Sequence, residues 1–379
     1  VATYNCRAIS YSNTVSAFAP RFTRTRGLFS ADDYAQMRAF FTARPHLAPT
    51  PTRSLPSLAA ALGLTNLSAK DESRRFGLNA FKLTGAQFAI ETLLAEGALT
   101  PGATIACASE GNHGRAVARA ARAAGCAARV YMAHDASQVR ADAIAGEGAA
   151  VVRVDGSYDD AVRVLQQDAT ANGWTIVSDT AWPGYERIPF LIMLGYTRML
   201  DEVQQAGATA APFTHLFVQG GVGGLLCAMA SWCAFHRPDC KVISVEPTQA
   251  ACLQASARAG HPVAVEGPLD TTLAGLRNRE VSPPAFQSLL PNVDAFMAID
   301  DAWAHDAMRV LAHPVADDPE IAAGASGAAA LGGLLALCRD ASMQPLRHEL
   351  GLGEDARALV IVSEGVTDLN LWSAVTSRR

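Results

Sequence analysis

The feature that most limits the fold of this chain is an alternation of short apolar, β-rich runs with longer alanine-rich runs. Ala103–Ala108 is typical of a buried strand, and His113–Ala124 is typical of a helix that ends at Gly125. Strands separated by helices of about 10–15 residues form βαβ units, so the sequence predicts an α/β fold with mainly parallel sheets flanked by helices. Further strands are predicted at 128–132, 150–154, 174–178, 215–219, 242–246 and 359–363.

Length, charge and cysteine spacing exclude several classes of protein. The 379 residues suit two or three domains, and the net charge of −5 gives no reason to expect nucleic acid or an anionic membrane surface as partner. Val1–Ser10 lacks the basic start and apolar stretch of a secretory signal, and no apolar run approaches the roughly 18 residues of a membrane span. The eight cysteines form no C-x-x-C and no zinc-like cluster with histidine. We therefore expect a soluble, cytoplasmic protein with reduced thiols and no metal site.

Two polar or glycine-rich loops directly follow predicted strands, where ligands of parallel α/β sheets bind. Gln219–Gly224 precedes an apolar helix, so its backbone N–H groups could hold a phosphate; the alternative is a tight strand–helix turn. Ser109–Gly114 also opens a helix, and it could bind a carboxylate or act only as a capping loop.

Only three of the 31 basic residues are lysines, which limits the candidates for chemistry that needs an amine. Lys70 precedes two acidic residues, which indicates an ion pair, and Lys241 opens a predicted strand. Lys82 lies between Phe81 and Leu83 at the start of a predicted helix, where a partly desolvated amine could be nucleophilic. The alternative for Lys82 is a side chain that extends from a helix end into solvent.

With these loops and this lysine segment, the chain resembles the fold-type II pyridoxal-phosphate (PLP) enzymes, which include threonine dehydratase and the tryptophan synthase β subunit. Within that group it resembles the diaminopropionate ammonia-lyases. The resemblance extends from about Pro49 to Asp368, in order. Its main segments are Lys70–Lys82, Gly111–Arg115, Ser178–Pro189 with Gly195-Tyr196, Gln219–Gly224, Val245–Pro247, Thr272–Leu276, Gly324–Gly327 and Ser363–Asp368.

The resemblance implies two domains with the cofactor in the cleft between them. The large domain would comprise residues 1–85 and 205–379, and the small inserted domain residues 86–204. A homodimer is implied as well. The implied cofactor site has Lys82 as the Schiff-base lysine, Phe81 beside the ring, Asn112 on the 3-hydroxyl side, Ser363 at the pyridine nitrogen, and Gly220, Gly221, Val222, Gly223 and Gly224 around the phosphate.

The implied activity is β-elimination from a β-substituted amino acid, with 2,3-diaminopropionate converted to pyruvate and ammonia as the leading reaction. Lys82 would also shuttle the Cα proton, and Glu110 and Asp179 are the carboxyl groups expected to do acid–base work from the opposite face. The implied substrate-binding residues are Ser109, Glu110, His113, Asp179 and Tyr185.

Three departures from the ammonia-lyase pattern keep other substrates open. Glu110 stands where the pattern has Asp, Ala325 where it has Glu, and Arg277–Glu280 where it has a stretch like Asn-Cys-Gly. The alternatives are a dehydratase of a β-hydroxy amino acid, of the serine/threonine, hydroxyaspartate or phenylserine type, and a catalytically altered PLP-binding homologue. A nicotinamide-dependent oxidoreductase is disfavoured because the chain lacks an early G-x-G-x-x-G motif.

Overall fold

Two sheets organise the chain, as seen in a computed structural model that describes residues 15–19, 23–207, 212–314 and 316–377. The segment Val1–Ser10, for which the sequence predicts no secretory signal, lies outside the described residues. Cys6 belongs to this segment. The strands are β1 Val15–Phe18, β2 Thr52–Ser54, β3 Asn66–Asp71, β4 Thr104–Ala108, β5 Ala127–Ala133, β6 Ala149–Val154, β7 Thr175–Ile176, β8 His215–Gln219, β9 Lys241–Pro247, β10 Ala295–Ile299 and β11 Arg357–Val362.

The helices alternate with these strands. They are α1 Ala31–Thr42, α2 Pro56–Leu62, α3 Lys82–Ala95, α4 Asn112–Ala123, α5 Gln138–Gly146, α6 Tyr158–Asn172, α7 Arg187–Tyr196, α8 Arg198–Gln205, α9 Gly224–His236, α10 Cys252–Ala259, α11 Pro283–Leu289, α12 Asp301–Ala312, α13 Ala325–Arg339, α14 Gln344–Glu349 and α15 Leu369–Thr376. None of these helices combines the length and the apolar composition that a bilayer crossing requires.

The larger sheet has the strand order β1-β10-β9-β8-β11-β3-β2, and its five inner strands run parallel. The two edge strands, β1 and β2, pair antiparallel with their neighbours. The smaller sheet has the order β6-β5-β4-β7 and is parallel throughout. The predicted α/β fold with mainly parallel sheets is therefore confirmed.

The inner strands of the larger sheet are buried along almost their whole length because helices cover both of their faces. In β8, Leu216 and Val218 belong to one apolar cluster, and Phe217 between them belongs to another on the opposite face. The first cluster includes residues of α3, α7 and α9, and the second includes residues of α12 and α13. The same alternation in β11 places Leu359 and Ile361 on one face and Val360 and Val362 on the other.

Most predicted elements are present with small shifts of their ends. The strand 215–219 has the predicted bounds, and Ser157 opens α6 through a capping box with Asp160. The strand predicted at 174–178 was too long: only Thr175–Ile176 pairs with β4, and the chain then turns away as a loop. That loop carries Asp179 and Tyr185 toward the carboxyl end of the smaller sheet.

Candidate active site

Lys82 is the first residue of α3 and lies in a partly enclosed site. Its Nζ lies 2.5 Å from Oδ2 of Asp179, and its side chain is 24% exposed. The aromatic rings of Phe81 and Tyr196 lie beside the amine, with ring centres 5.1 and 5.7 Å from Nζ. The amine is thus bounded by a carboxylate and two aromatic rings, and its reactivity stays a prediction.

The other two lysines have structural partners. Lys70 is fully buried and its Nζ lies 2.6 Å from Oε2 of Glu202, which confirms the predicted ion pair but with a partner remote in sequence. Glu72, its expected partner, is 3.8 Å away. Lys241 pairs with Asp294 at 3.2 Å, and its side chain is 43% exposed.

The segment before Lys82 is fixed by the chain that follows β11. Phe81 N–H donates to the Ser363 carbonyl at 3.3 Å, and Gly365 N–H donates to the Asn79 carbonyl at 2.8 Å. These bonds place Ser363, the predicted partner of the pyridine nitrogen, next to the lysine segment. Ser363 is buried and lies at the carboxyl end of the strand, where the sequence analysis expects a ligand.

The N-terminal turns of α3 pack closely on α7. A Cβ added to Gly85 would lie 2.4 Å from the ring of Tyr196 and 2.6 Å from the carbonyl oxygen of Ile192. Only glycine at position 85 permits this approach, so α3 holds Lys82 at the aromatic wall that Tyr196 provides.

Asp179 is the acidic residue in direct contact with Lys82. Burial raises the pKa of this carboxyl, but the neighbouring His113 and Lys82 outweigh burial, and the net pKa lies well below its ordinary value. His113 is held through Nε2, which lies 2.9 Å from the Val177 carbonyl oxygen, and its Nδ1 is 3.7 Å from Oδ2 of Asp179. Asp179 is therefore a carboxylate at neutral pH.

Glu110, the second carboxyl expected to act on protons, is arranged differently. Its Oε1 accepts a hydrogen bond from the backbone N–H of Ala133 at 3.3 Å, at the end of β5. Its catalytic role stays a prediction.

Two of the predicted substrate-binding side chains also shape the loops that carry the site. The Ser109 hydroxyl accepts hydrogen bonds from the N–H groups of Gly111 and Gly114, at 3.3 and 2.9 Å. The Tyr185 hydroxyl accepts from Ser178 N–H at 2.8 Å and donates to the Ile176 carbonyl at 2.9 Å. Their contribution to substrate binding stays a prediction.

The glycine loop after β8, the predicted phosphate cradle, leads directly into the start of a helix. Gly220 N–H donates to the Val245 carbonyl at 2.7 Å, and Gly223 has φ +101°, a conformation that favours glycine. Gly224 then begins the 13-residue helix α9, whose first N–H groups have no partner within the helix. A Cβ on Gly224 would lie 3.7 Å from the Asp179 carbonyl oxygen, so the loop and the Lys82–Asp179 pair border the same space.

These residues fit PLP. The cradle suits its phosphate, Lys82 supplies the amine for its aldehyde, and two buried polar atoms near the lysine, Nδ1 of His113 and the hydroxyl of Tyr196, have no hydrogen-bond partner in the structure. Among the described residues, no group of His, Cys, Asp or Glu side chains is arranged to hold a metal ion.

The sequence analysis missed one polar residue of the site, Glu364. This residue follows Ser363 directly, is 6% exposed, and its Oε2 accepts a hydrogen bond from the Asn112 amide at 2.5 Å. Glu364 lies in the recognised segment Ser363–Asp368, directly after a predicted strand, but nothing in the sequence assigned it a role. Tyr196 belonged to a recognised segment, but its position beside the lysine depends on the packing of α7.

Residues 277–280, which depart from the ammonia-lyase pattern, lie partly outside the space between the glycine loop and the Lys82–Asp179 pair. Arg277 donates to the Thr271 carbonyl, and Arg279 donates to the carbonyls of Val265 and Gly267. Asn278 does lie against the cradle, because a Cβ on Gly221 would be 2.9 Å from its Nδ2.

The chain is similar to one protein family and to several individual proteins. Residues 43–362 match the family described as pyridoxal-phosphate dependent enzyme. The chain is 37% identical over 369 residues to diaminopropionate ammonia-lyase of Escherichia coli (strain K12), with 93% of each chain covered.

Two crystal structures of diaminopropionate ammonia-lyase from Escherichia coli are also similar. One, in complex with an aminoacrylate–PLP azomethine reaction intermediate, has a TM-score of 0.90 and 36% identity, covering 97% of this chain and 98% of that one. The other, in complex with D-serine, has a TM-score of 0.89 and 35% identity, covering 97% and 98%.

Proposed function

The chain belongs to the family of pyridoxal-phosphate-dependent enzymes, and from that premise we propose that it eliminates the β-amino group of 2,3-diaminopropionate. With water, this substrate yields one pyruvate and two ammonia molecules. The observation that carries the proposal is the pairing of Lys82 Nζ with Asp179 Oδ2 at 2.5 Å, beside the glycine cradle. Support for the substrate comes from the 37% identity to an enzyme that bears this activity in its name.

When bound, the cofactor would supply an electron sink for the electron pair of the Cα–H bond that breaks. Lys82 would join the cofactor through its amine and, once released by the substrate, receive or return the Cα proton. The cradle of Gly220–Gly224 would bind the phosphate, Phe81 would pack beside the ring, Asn112 would face the 3-hydroxyl side, and Ser363 would bond the pyridine nitrogen.

Asp179 is the residue we assign to proton transfer on the substrate. As a carboxylate at neutral pH it can accept the Cα proton of a D-substrate, or it can bind the β-ammonium group before that group leaves. Glu110 is a second candidate for this role. Ser109, His113 and Tyr185 would hold the loops that receive the substrate carboxylate at the N-terminus of α4.

We further propose that residues 1–85 and 205–379 form a large domain and 86–204 a small inserted one, with closure of the small domain excluding water from the cleft. The separate strand orders of the two sheets support this division. A cytoplasmic homodimer completes the proposal; the family resemblance supports it, as do the free thiols of the described cysteines, which suit a reducing compartment. Light scattering of the purified protein tests the dimer.

The test of the function is a set of amino-acid turnovers by the PLP-loaded protein. D- and L-2,3-diaminopropionate, serine, threonine and hydroxyaspartate are each supplied, and 2-oxo acid and ammonia are counted. Diaminopropionate should give ammonia and pyruvate in a ratio of two to one. Turnover of the hydroxy amino acids alone would identify a dehydratase, and no turnover despite bound cofactor would identify a non-catalytic homologue.

The matched variants are Lys82→Ala and Lys241→Ala. Lys82→Ala should abolish turnover and the absorbance of lysine-bound cofactor, because no other described lysine borders the site. Lys241→Ala removes an equal amine from a half-exposed ion pair and should leave both unchanged. Equal activity in wild type and Lys82→Ala would refute the assignment.

A further inference from the structure

Glu364 is a buried carboxyl group that neither the sequence motifs nor the proposed mechanism uses. Its backbone is fixed on two sides: it forms an isolated antiparallel bridge with Ala80, and its carbonyl accepts from Gly324 N–H at 3.2 Å. The first contact joins it to the segment that leads into Lys82, and the second to the start of α13.

The pocket around this side chain is built from close backbone contacts. A Cβ on Gly327 would lie 2.1 Å from the Glu364 carbonyl oxygen, and one on Gly365 would lie 2.3 Å from the Ser73 carbonyl oxygen. A Cβ on Gly324 would reach within 3.3 Å of the carboxyl oxygen Oε1. These glycines let the backbone around Glu364 pack closely, and Gly324 leaves room for its carboxyl group.

The carboxyl group of Glu364 connects two parts of the chain that border the proposed cofactor site. Its Oε2 accepts from Nδ2 of Asn112, the first residue of α4, at 2.5 Å. The hydroxyl of Ser326, in the first turn of α13, lies nearby: a Cβ on Gly275 would be 3.1 Å from that hydroxyl and 3.9 Å from Oε2 of Glu364. Both neighbouring side chains are neutral, and Glu364 forms no ion pair within the described part of the chain.

We propose that Glu364 is a positioning residue that carries a proton in the folded protein and fixes the Asn112 amide at the 3-hydroxyl side of the cofactor. The proposal rests on the proposed function, in which Asn112 faces that hydroxyl. A neutral carboxyl at this place holds the amide without adding negative charge beside the electron sink. It also ties the first turn of α4 to α13, so the link forms only when the two sheets are brought together.

The electrostatic surroundings agree with this geometry. Burial raises the pKa of Glu364, while the polar groups of Asn112 and Ser326 and the charges of Arg140 and Lys82 act in the opposite direction without cancelling it. A buried acid with neutral neighbours keeps its proton because ionisation without access to water is costly. We expect cofactor affinity to fall at alkaline pH, because Glu364 then loses that proton and places a negative charge beside the anionic cofactor.

The test compares Glu364→Gln and Glu364→Ala, with Glu91→Gln on the outer part of α3 as control. Glutamine has the shape of the neutral acid and keeps a carbonyl acceptor for Asn112, whereas alanine removes it. Two readouts do not depend on turnover: the dissociation constant of pyridoxal 5′-phosphate, and hydrogen–deuterium exchange at residues 111–116 in the apoprotein.

Glu364→Ala should weaken cofactor binding by about 10- to 100-fold, the usual effect of leaving a buried donor unpaired, and should raise exchange at 111–116. Glu364→Gln should stay within about threefold of wild type and lose the decline in affinity that wild type shows at alkaline pH. Its neutral, isosteric side chain should fold even if the alanine variant does not, and its pH profile then tests the proposal alone.

Three results would overturn the proposal: wild-type affinity and exchange in Glu364→Ala, losses in Glu364→Gln as large as in Glu364→Ala, or the same alkaline decline in Glu364→Gln as in wild type. The second would mean that a negative charge, not a proton-bearing group, is required. A wild-type protein that binds the cofactor but releases no ammonia would refute the proposed function only, and the affinity and exchange comparisons would still decide the role of Glu364.

Discussion

Replacing Gly220 by alanine should cost both stability and cofactor affinity, and the structure gives the size of the effect. A Cβ at this position would lie 2.6 Å from Cγ of Glu246, 2.8 Å from Oγ of Ser244 and 2.9 Å from Cδ1 of Leu253. Glu246 cannot withdraw easily, because its carboxyl oxygens accept two backbone N–H groups at 2.8 Å each. Overpacking of a fixed site of this kind costs about 1–3 kcal/mol.

The neighbouring glycine provides the matched control. A Cβ on Gly221 would have a single close contact, at 2.9 Å, with the amide nitrogen at the end of the Asn278 side chain. That side chain can rotate away, so Gly221→Ala should cost less than about 1 kcal/mol. Both variants add one methyl group to the same loop, so the difference between them isolates the rigid contacts around position 220.

The assay is thermal or urea unfolding of the apoprotein, followed by titration with pyridoxal 5′-phosphate. Gly220→Ala should lower the midpoint of unfolding and raise the dissociation constant, because relief of the clash displaces the N–H groups of the cradle. If Gly220→Ala were as stable as wild type, or if Gly221→Ala lost as much as Gly220→Ala, the assignment of Gly220 as a tightly packed member of the cradle would be wrong.

Two further predictions concern buried charges. Glu202→Gln should lower the free energy of unfolding by about 3–5 kcal/mol, because it removes the carboxylate that both Lys70 and Arg75 contact at 2.6 Å. Glu72 is then left to balance both buried cations alone. Urea denaturation checks this, and Arg163→Gln, in an exposed pair, should change it by less than about 1 kcal/mol. Burial raises the pKa of Glu246 to about 8, against the opposing hydrogen bonds from two backbone amides. Because the pKa of Glu246 is raised in the folded state, the stabilisation is present in acid and is lost as the pH rises through that value. The melting temperature of wild type should therefore fall between about pH 5 and pH 9, and that of Glu246→Gln should fall less. Parallel curves of melting temperature against pH for the two proteins would contradict the shift.

Local patterns in the sequence were enough to predict the fold class and most element positions. The strand 215–219 and the capping box of Ser157 are set by nearest neighbours in the chain, and both were predicted correctly. The strand Asn66–Asp71 was missed because its last residues, Lys70 and Asp71, are charged. Lys70 is buried because Glu202, far along the sequence, neutralises it, and Asp71 pairs with Arg53 on the neighbouring strand.

The same limit applies to the candidate site. The position of Lys82 at the start of a helix beside Phe81, and the turn of the glycine loop between β8 and α9, could be predicted because each depends on its own flanking residues. The link between Asn112 and Glu364 could not, because the two residues are 252 positions apart and meet through the packing of both sheets. The pairing of Asp179 with Lys82 was likewise outside local reasoning, although both residues were named.

The position of β11 in the larger sheet has a consequence for the order in which the protein is made. This strand lies between β8 and β3, yet it is the last of the eleven described strands to leave the ribosome. The smaller sheet, whose strands lie within residues 104–176, can pair while synthesis continues, since domains generally fold as units in order of appearance. The centre of the larger sheet stays open until β11 arrives, and the same strand delivers Ser363 to the segment of Lys82. A nascent chain that stops before β11 therefore lacks both the closed sheet and the hydrogen bond that fixes the segment before Lys82.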